Sequence, residues 1–257
     1  MNMKRSPFDD PRVRQALRLA IDREQALTAC TSGHGVVAND LPEPFAPGYS
    51  KSLVCRRDVA RARQLLREAG KEGVMVELVT GPVSAEAVPM CTVLAKNAAE
   101  IGMTIKVRQV DTATLFGPNF HDWKFSVDKW PPQGDYLTLM TLTDLSDTTT
   151  LTHPPEADLR ELRSISEKAQ ATGDRAERLR LTERMYRIQF DRGGWIIPFF
   201  ANVESTHKVQ TAAGPRTTSP DGRSATPTSS RSTWPPADPR RGARASRYAG
   251  VSGRAPE

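Results

Sequence analysis

After Asp9-Asp10-Pro11, apolar side chains fall at Val13, Leu17, Ala20 and Ile21, the one-sided spacing of an amphipathic helix. An Asp cap and a proline in the first turn mark its start. Asp22, Arg23 and Glu24 read as its solvated face, and Gly33-His34-Gly35 ends the unit. The stretch 39–49 carries Pro42, Pro44, Pro47 and Gly48, which predicts an extended, ordered loop. Asp58 opens a second helix with Val59, Ala62, Leu65, Leu66 and Ala69 as its stripe, closed by Gly70. A strand over 74–79, a helix over 87–101 with Cys91, Leu94, Ala95, Ala98 and Ile101 inward, and a strand over 104–110 follow. That spacing is a βαβ crossover, so the two strands should be parallel. Short helices are expected over 112–116 and 135–142, and long ones over 156–169 and 174–190. Residues 125–130 read as a third strand, and 195–200 as an apolar strand with 203–209 as its partner. The fold class is α/β.

The pattern stops near Gln210. From Thr211 to Glu257 there is no Ile, Leu, Phe, Met or Cys, and the stretch holds seven of the 20 prolines. Such a segment buries too little apolar surface to offset its ordering entropy. Two regions are therefore expected: a folded body over 1–210 and a disordered Arg/Pro/Ser/Thr-rich tail over 211–257. The tail's eight arginines against three acids carry +5 of the chain's net +6, so the body is nearly neutral. The basic balance is thus weak evidence that the body binds nucleic acid or membrane.

Catalytic signatures do not appear. His34, His121, His153 and His207 show no metal-ligand spacing, and no nucleophile elbow, P-loop or GxGxxG is present. Cys30, Cys55 and Cys91 lack a CxxC spacing and read as small, partly buried thiols. No cofactor is expected. No leader with charged and apolar regions opens the chain, and no run of 18 apolar residues spans a membrane.

One segment departs from plain core patterning. Over 121–132, aromatic and charged residues mix around a strand end, and Trp130-Pro131-Pro132 forces an extended exit. Alternation places Trp123, Phe125 and Val127 on one face, and Lys124, Ser126 and Asp128 on the other. Indole rings make stiff apolar walls for a pocket, and a neighbouring carboxylate holds a ligand amine. Trp130, Asp128, Asp135 and Trp123 are the candidate contacts. The plainer reading, tryptophans packed in a core, fits Trp123 better than Trp130.

Residues 7–23, from Pro7-Phe8-Asp9-Asp10 to Ala20-Ile21-Asp22-Arg23, closely resemble the "PFDDxRVRQALxxAIDR" segment of the peptide- and nickel-type solute-binding proteins of ABC importers. Leu41-Pro42 and Pro47-Gly48-Tyr49 resemble that family's "P…PGY" loop, and 58–70 its "DxxKAKxLLxEAG" helix. Trp130 to Leu137 sits where the family carries "W…DYPDP…L", and Trp195-Ile196-Ile197-Pro198-Phe199 resembles its "PIIPLY" strand. The resemblance implies a monomeric, extracytoplasmic, two-lobed protein that closes on a small solute, peptide-like in many members, and hands it to ABC permease subunits. It implies that this chain is the second lobe, with weak or no solute binding on its own. In peptide binders an Asp of the "DYPDP" stretch pairs with the ligand's amino group; here Asp128 or Asp135 would serve. The change of composition after Gln210 reads as a reading-frame shift in a GC-rich gene. Two other classes compete. The Arg-rich tail would give a nucleic-acid-associated protein at most a non-specific, salt-sensitive attraction. An α/β enzyme would need a constellation that the sequence lacks.

Overall fold

Aspartates start most of the helices. In the computed structural model, which describes residues 1–147 and 151–202, α1 (Pro11–Ala20), α2 (Arg23–Thr31) and α3 (Val59–Glu68) follow Asp10, Asp22 and Asp58. Those carboxylates accept from the amides of Arg12, Gln25 and Arg61 at 2.8–2.9 Å. Each bond satisfies an amide that has no partner inside its own helix. Between α2 and α3, β1 (Gly35–Val37) leads into a long loop without regular structure.

The predicted crossover is present. β2 (Met75–Thr80) runs into α4 (Ala87–Glu100) and returns as β3 (Thr104–Gln109), parallel to β2, with Met75 opposite Thr104 and Thr80 opposite Gln109. Leu17 of α1, Phe8 and Ile21 flanking it, Leu65 and Leu66 of α3, Leu78, and Cys91 and Leu94 of α4 form one core with Phe125. A second core lies among α6 (Tyr136–Leu142), α7 (Glu156–Ala171) and α8 (Arg175–Arg192), with Leu41 and Leu53 from the long loop. Tyr136 and Tyr186 stack there with ring centroids 3.7 Å apart. Between β3 and α6 stands the four-residue α5 (Thr112–Leu115). β4 (Phe199–Ala201) pairs antiparallel with β1. No helix among the described residues is long and apolar enough to cross a membrane.

Four expectations change. The helix ends before Ile21: Val13, Leu17 and Ala20 lie in α1, but Ile21 is extended, and Asp22 caps α2 while its own amide donates to Asn97 Oδ1 at 2.9 Å. Arg23 is buried rather than solvated. The third strand contracts to one parallel bridge, Val79 to Ser126, framed by Val79 N–H to Phe125 O and Val127 N–H to Val79 O, both 2.9 Å. Past Val127 the chain turns away into Trp130 and the two prolines, which cannot donate to a ladder. The apolar strand expected over 195–200 is confined to β4, and it pairs with β1; the partner expected over 203–209 lies outside the described residues. The tail expected from Thr211 lies outside them too. The chain divides into two units, Met1–Ser205 and Thr206–Glu257, and the described residues all belong to the first.

Candidate functional site

The loop between Val127 and α6 unites three of the four candidate residues. Asp128 is half-buried. Its Oδ1 accepts the Lys129 amide at 2.7 Å, and its Oδ2 accepts the Trp130 indole N–H at 2.6 Å. The indole is thereby tied at its polar edge while the ring stays 38% exposed. A carboxylate offers about four acceptor positions, so these two bonds leave Asp128 capacity for a further donor. Asp135 closes the loop by capping α6, its Oδ2 taking the Thr138 amide at 2.9 Å and hydroxyl at 2.8 Å. That carboxylate therefore has a structural task at the helix start.

Trp123 is placed elsewhere. Its indole N–H donates to Leu115 O at 3.0 Å, and the Arg108 guanidinium lies 5.7 Å from its ring centroid. It lines an open cleft of about 370 Å³ beside β2, with Ser6, Pro7, Met75, Glu77, Asp122 and Lys124. Trp130, Asp128 and Asp135 do not line that cleft. Phe125 is buried in the first core, whereas Trp123 lines the cleft, apart from Trp130.

A residue that sequence reasoning passed over holds the Trp130 loop. Glu43 is only 8% exposed, and its carboxylate accepts the amides of Gln133 at 2.7 Å and Gly134 at 3.0 Å. Its backbone has φ +53°, uncommon for a residue other than glycine. The Tyr186 hydroxyl donates to the carbonyls of Pro42 at 3.2 Å and Glu43 at 3.3 Å. Burial raises the pKa values of Tyr136 and Tyr186 well above the ordinary phenol value, so both keep their protons. In the sequence Glu43 is an acid between two prolines, a pattern that a solvated loop shares.

The histidines come closer than their spacing implied. His121 and His153 rings lie 6.5 Å apart, and His153 Nε2 is 2.9 Å from the His121 carbonyl. Burial lowers the His153 pKa. Among the described residues no three His, Cys, Asp or Glu side chains are grouped to hold a metal ion.

The model of the bacterial extracellular solute-binding proteins, family 5 (middle region), matches residues 1–150. The chain belongs to family 5 of the bacterial extracellular solute-binding proteins. Two curated relatives of this family 5 chain are the dipeptide-binding protein of Escherichia coli (strain K12), 32% identical over 112 residues, and the glutathione-binding protein GsiB of Pectobacterium atrosepticum, 33% identical over 113 residues. The matches take in 41% and 43% of this chain, and only 21% and 22% of the relatives. Among solved structures, the periplasmic binding protein AgaA of A. tumefaciens R10, in complex with agropinic acid, superposes with a TM-score of 0.68 at 22% identity. That likeness covers 78% of this chain and 42% of AgaA, and it establishes the α/β periplasmic-binding-protein fold. The family 5 chain thus spans about a fifth of the length of its curated relatives and about two fifths of the structural one.

Proposed function

We propose that this family 5 chain contributes one lobe of the solute-binding component of an ABC importer. On this reading the protein works outside the cytoplasm, binds a small peptide-like solute and passes it to permease subunits without chemical change. Two relatives are named for binding a dipeptide and glutathione, which favours a peptide-like ligand. The observation that carries the reading at the level of residues is the exposed Trp130 indole tied to Asp128. The ring supplies a flat apolar wall, and the carboxylate beside it supplies a partner for a ligand ammonium. Asp135 keeps the loop end in place, and Trp123 serves a second surface. Enclosure between lobes supplies most of the affinity in such hinge-closing proteins, so a single lobe binds weakly.

The test is titration of the ¹⁵N-labelled chain with the dipeptide Met-Leu at millimolar concentration. Resonances of the Trp130 indole N–H and the Asp128 amide should shift together. N-acetyl-Met-Leu, which has no ammonium, should bind about tenfold less tightly, as expected for one lost charge-assisted hydrogen bond. Trp130→Ala should weaken binding of both. A dipeptide that leaves Trp130 and Asp128 unmoved, or binds Trp130→Ala unchanged, would return Trp130 to a packing role.

A further inference from the structure

Trp130 stands in a stretch without regular structure, yet both ends of that stretch are tethered. On the N-terminal side the indole is tied to Asp128. On the C-terminal side the amides of Gln133 and Gly134 both donate to Glu43, ninety residues away along the chain. Pro131 and Pro132 lie between the two tethers. Their rings lock φ, so few soft dihedrals separate Trp130 from the anchored amides. Fixing residues 133 and 134 therefore fixes where the indole can sit. The Gln133 side chain tightens the same turn by donating to Pro131 O at 2.8 Å.

Glu43 is itself held. Tyr186 of α8 grips the carbonyls of Pro42 and Glu43, and Tyr186 stacks on Tyr136, the first residue of α6. Asp135, next to the anchored Gly134, caps that same α6. The path closes on itself: α8 to the proline loop, through the Glu43 carboxylate to residues 133 and 134, into α6, and back to α8. A buried carboxylate that accepts two amide N–H groups has the stronger kind of hydrogen bond, and it is costly to leave unpaired.

We infer that Glu43 is a positioning residue for the Trp130 loop: its carboxylate presets the indole for solute contact from outside the loop's own sequence. This rests on the reading of Trp130 as a solute wall, and it adds a residue that touches no solute. A purely structural Glu43 would change global stability alone, whereas a positioning Glu43 changes the state of the Trp130 ring.

The experiment uses the full chain and follows the Trp130 indole resonance, assigned by Trp130→Phe, together with amide exchange at Gln133 and Gly134. Glu43→Ala should speed exchange at both amides by about tenfold or more, the loss expected for one charge-assisted bond each. It should also shift the Trp130 indole resonance and weaken Met-Leu binding. Glu43→Gln keeps one acceptor oxygen and should recover part of each change. Gln133→Pro deletes one of the two donors while leaving Glu43 intact, so it tests the tether even if Glu43→Ala folds poorly. Fast exchange with a displaced indole supports the inference. Unchanged exchange at both amides in Glu43→Gln and at Gly134 in Gln133→Pro, with an unchanged indole in each, overturns it. If the tether behaves as stated but neither Glu43→Ala nor Trp130→Ala alters Met-Leu binding, the solute-wall reading fails and the positioning of the loop stands.

Discussion

Removing the charge of Asp40 should cost more stability than any surface ion pair of this chain. The Asp40 side chain is fully buried, and it faces two nearly buried guanidiniums, with side-chain exposures of 6% for Arg18 and 5% for Arg23. Oδ2 accepts Arg18 Nε at 3.2 Å and Arg23 Nη2 at 2.5 Å, while Oδ1 accepts the Ile197 amide at 3.0 Å. Arg18 also donates to the Phe190 carbonyl and lies 5.3 Å from that ring's centroid. Arg23 donates to the carbonyls of Arg18 at 3.2 Å and Cys55 at 3.1 Å. One carboxylate thus joins α1, the start of α2 and the irregular segment before β4.

Asp40→Asn is the informative change. Asp40 has φ +61°, a conformation that Asn also tolerates, so backbone strain is not added. The amide keeps an acceptor for Ile197 but leaves two buried cations without a counter-charge. Breaking a buried pair by removing one partner costs about 3–5 kcal/mol. Against a domain stability of roughly 5–15 kcal/mol, that is a large fraction. Urea unfolding followed by far-ultraviolet circular dichroism would show it as a lower midpoint, with the slope unchanged. Glu156→Gln, which breaks the exposed pair with Arg160, should leave the midpoint within error. The triple change Arg18→Met, Arg23→Met, Asp40→Leu should recover most of the loss, because apolar replacement of a whole buried network is often near neutral. A shift below about 1 kcal/mol in Asp40→Asn, the scale of an ordinary hydrogen bond, would refute the reasoning.

Two other predictions concern buried titratable groups. Burial pushes the Cys91 thiol up to about 11 and raises Cys55, while Cys30 is only half-buried; at pH 8, Ellman's reagent should label Cys30 first, with Cys55 and Cys91 reacting at the rate of unfolding, and three equal rates would contradict the structure. Burial also raises the carboxyl of Asp144 above its ordinary value, against the Thr152 amide that donates to Oδ1 at 3.0 Å. The native state then holds a proton that the unfolded chain gives up near pH 4, so this group's contribution to stability falls as pH rises from there through the native value. Asp144→Asn should flatten that slope in urea titrations from pH 4 to 8, and a slope equal to wild type would sink the assignment.

The elements built from neighbouring residues were legible. Asp10, Asp58 and the glycine at 70 mark helix ends by local chemistry, and the parallel pairing of β2 with β3 follows from the length of α4. What escaped depends on partners far along the chain. Arg14, Arg18 and Arg23 look like the polar side of a helix, yet Arg14 reaches Arg192 O and Arg18 reaches Phe190 O. A guanidinium's polarity announces exposure unless its acceptors are known, and those acceptors lie more than 170 residues away. β1 and β4 are three residues each, too short for alternation to register, and Gly35 is suited to the close approach of Phe200 O, which a Cβ would meet at 2.3 Å. At the candidate site, Asp128 and Trp130 could be paired from sequence because only Lys129 lies between them. Glu43 could not be paired with 133 and 134, because nothing local distinguishes a buried acid in a proline loop from a solvated one.

The loops of this chain share one physical device. Asp40 accepts the amide of Ile197, Glu43 those of Gln133 and Gly134, and Asp144 that of Thr152. In each case a buried or nearly buried carboxylate from one segment satisfies backbone donors of another that has no ladder or helix to use. An irregular segment fixed in this way has lost its conformational entropy at folding, so little remains to be lost when a solute arrives. Binding surfaces on α/β proteins sit on such loops because the loops vary in shape while the scaffold stays fixed. Burying a carboxylate carries a desolvation cost, which partners offset at Asp40 and Glu43; Asp144, whose Oδ2 has no hydrogen-bond partner among the described residues, meets it with a raised pKa. That reasoning ties the stability experiment on Asp40 to the positioning experiment on Glu43: the same chemistry, applied to a loop away from Trp130 in one case and to the Trp130 loop in the other, should lower the unfolding midpoint in the first and displace the indole in the second.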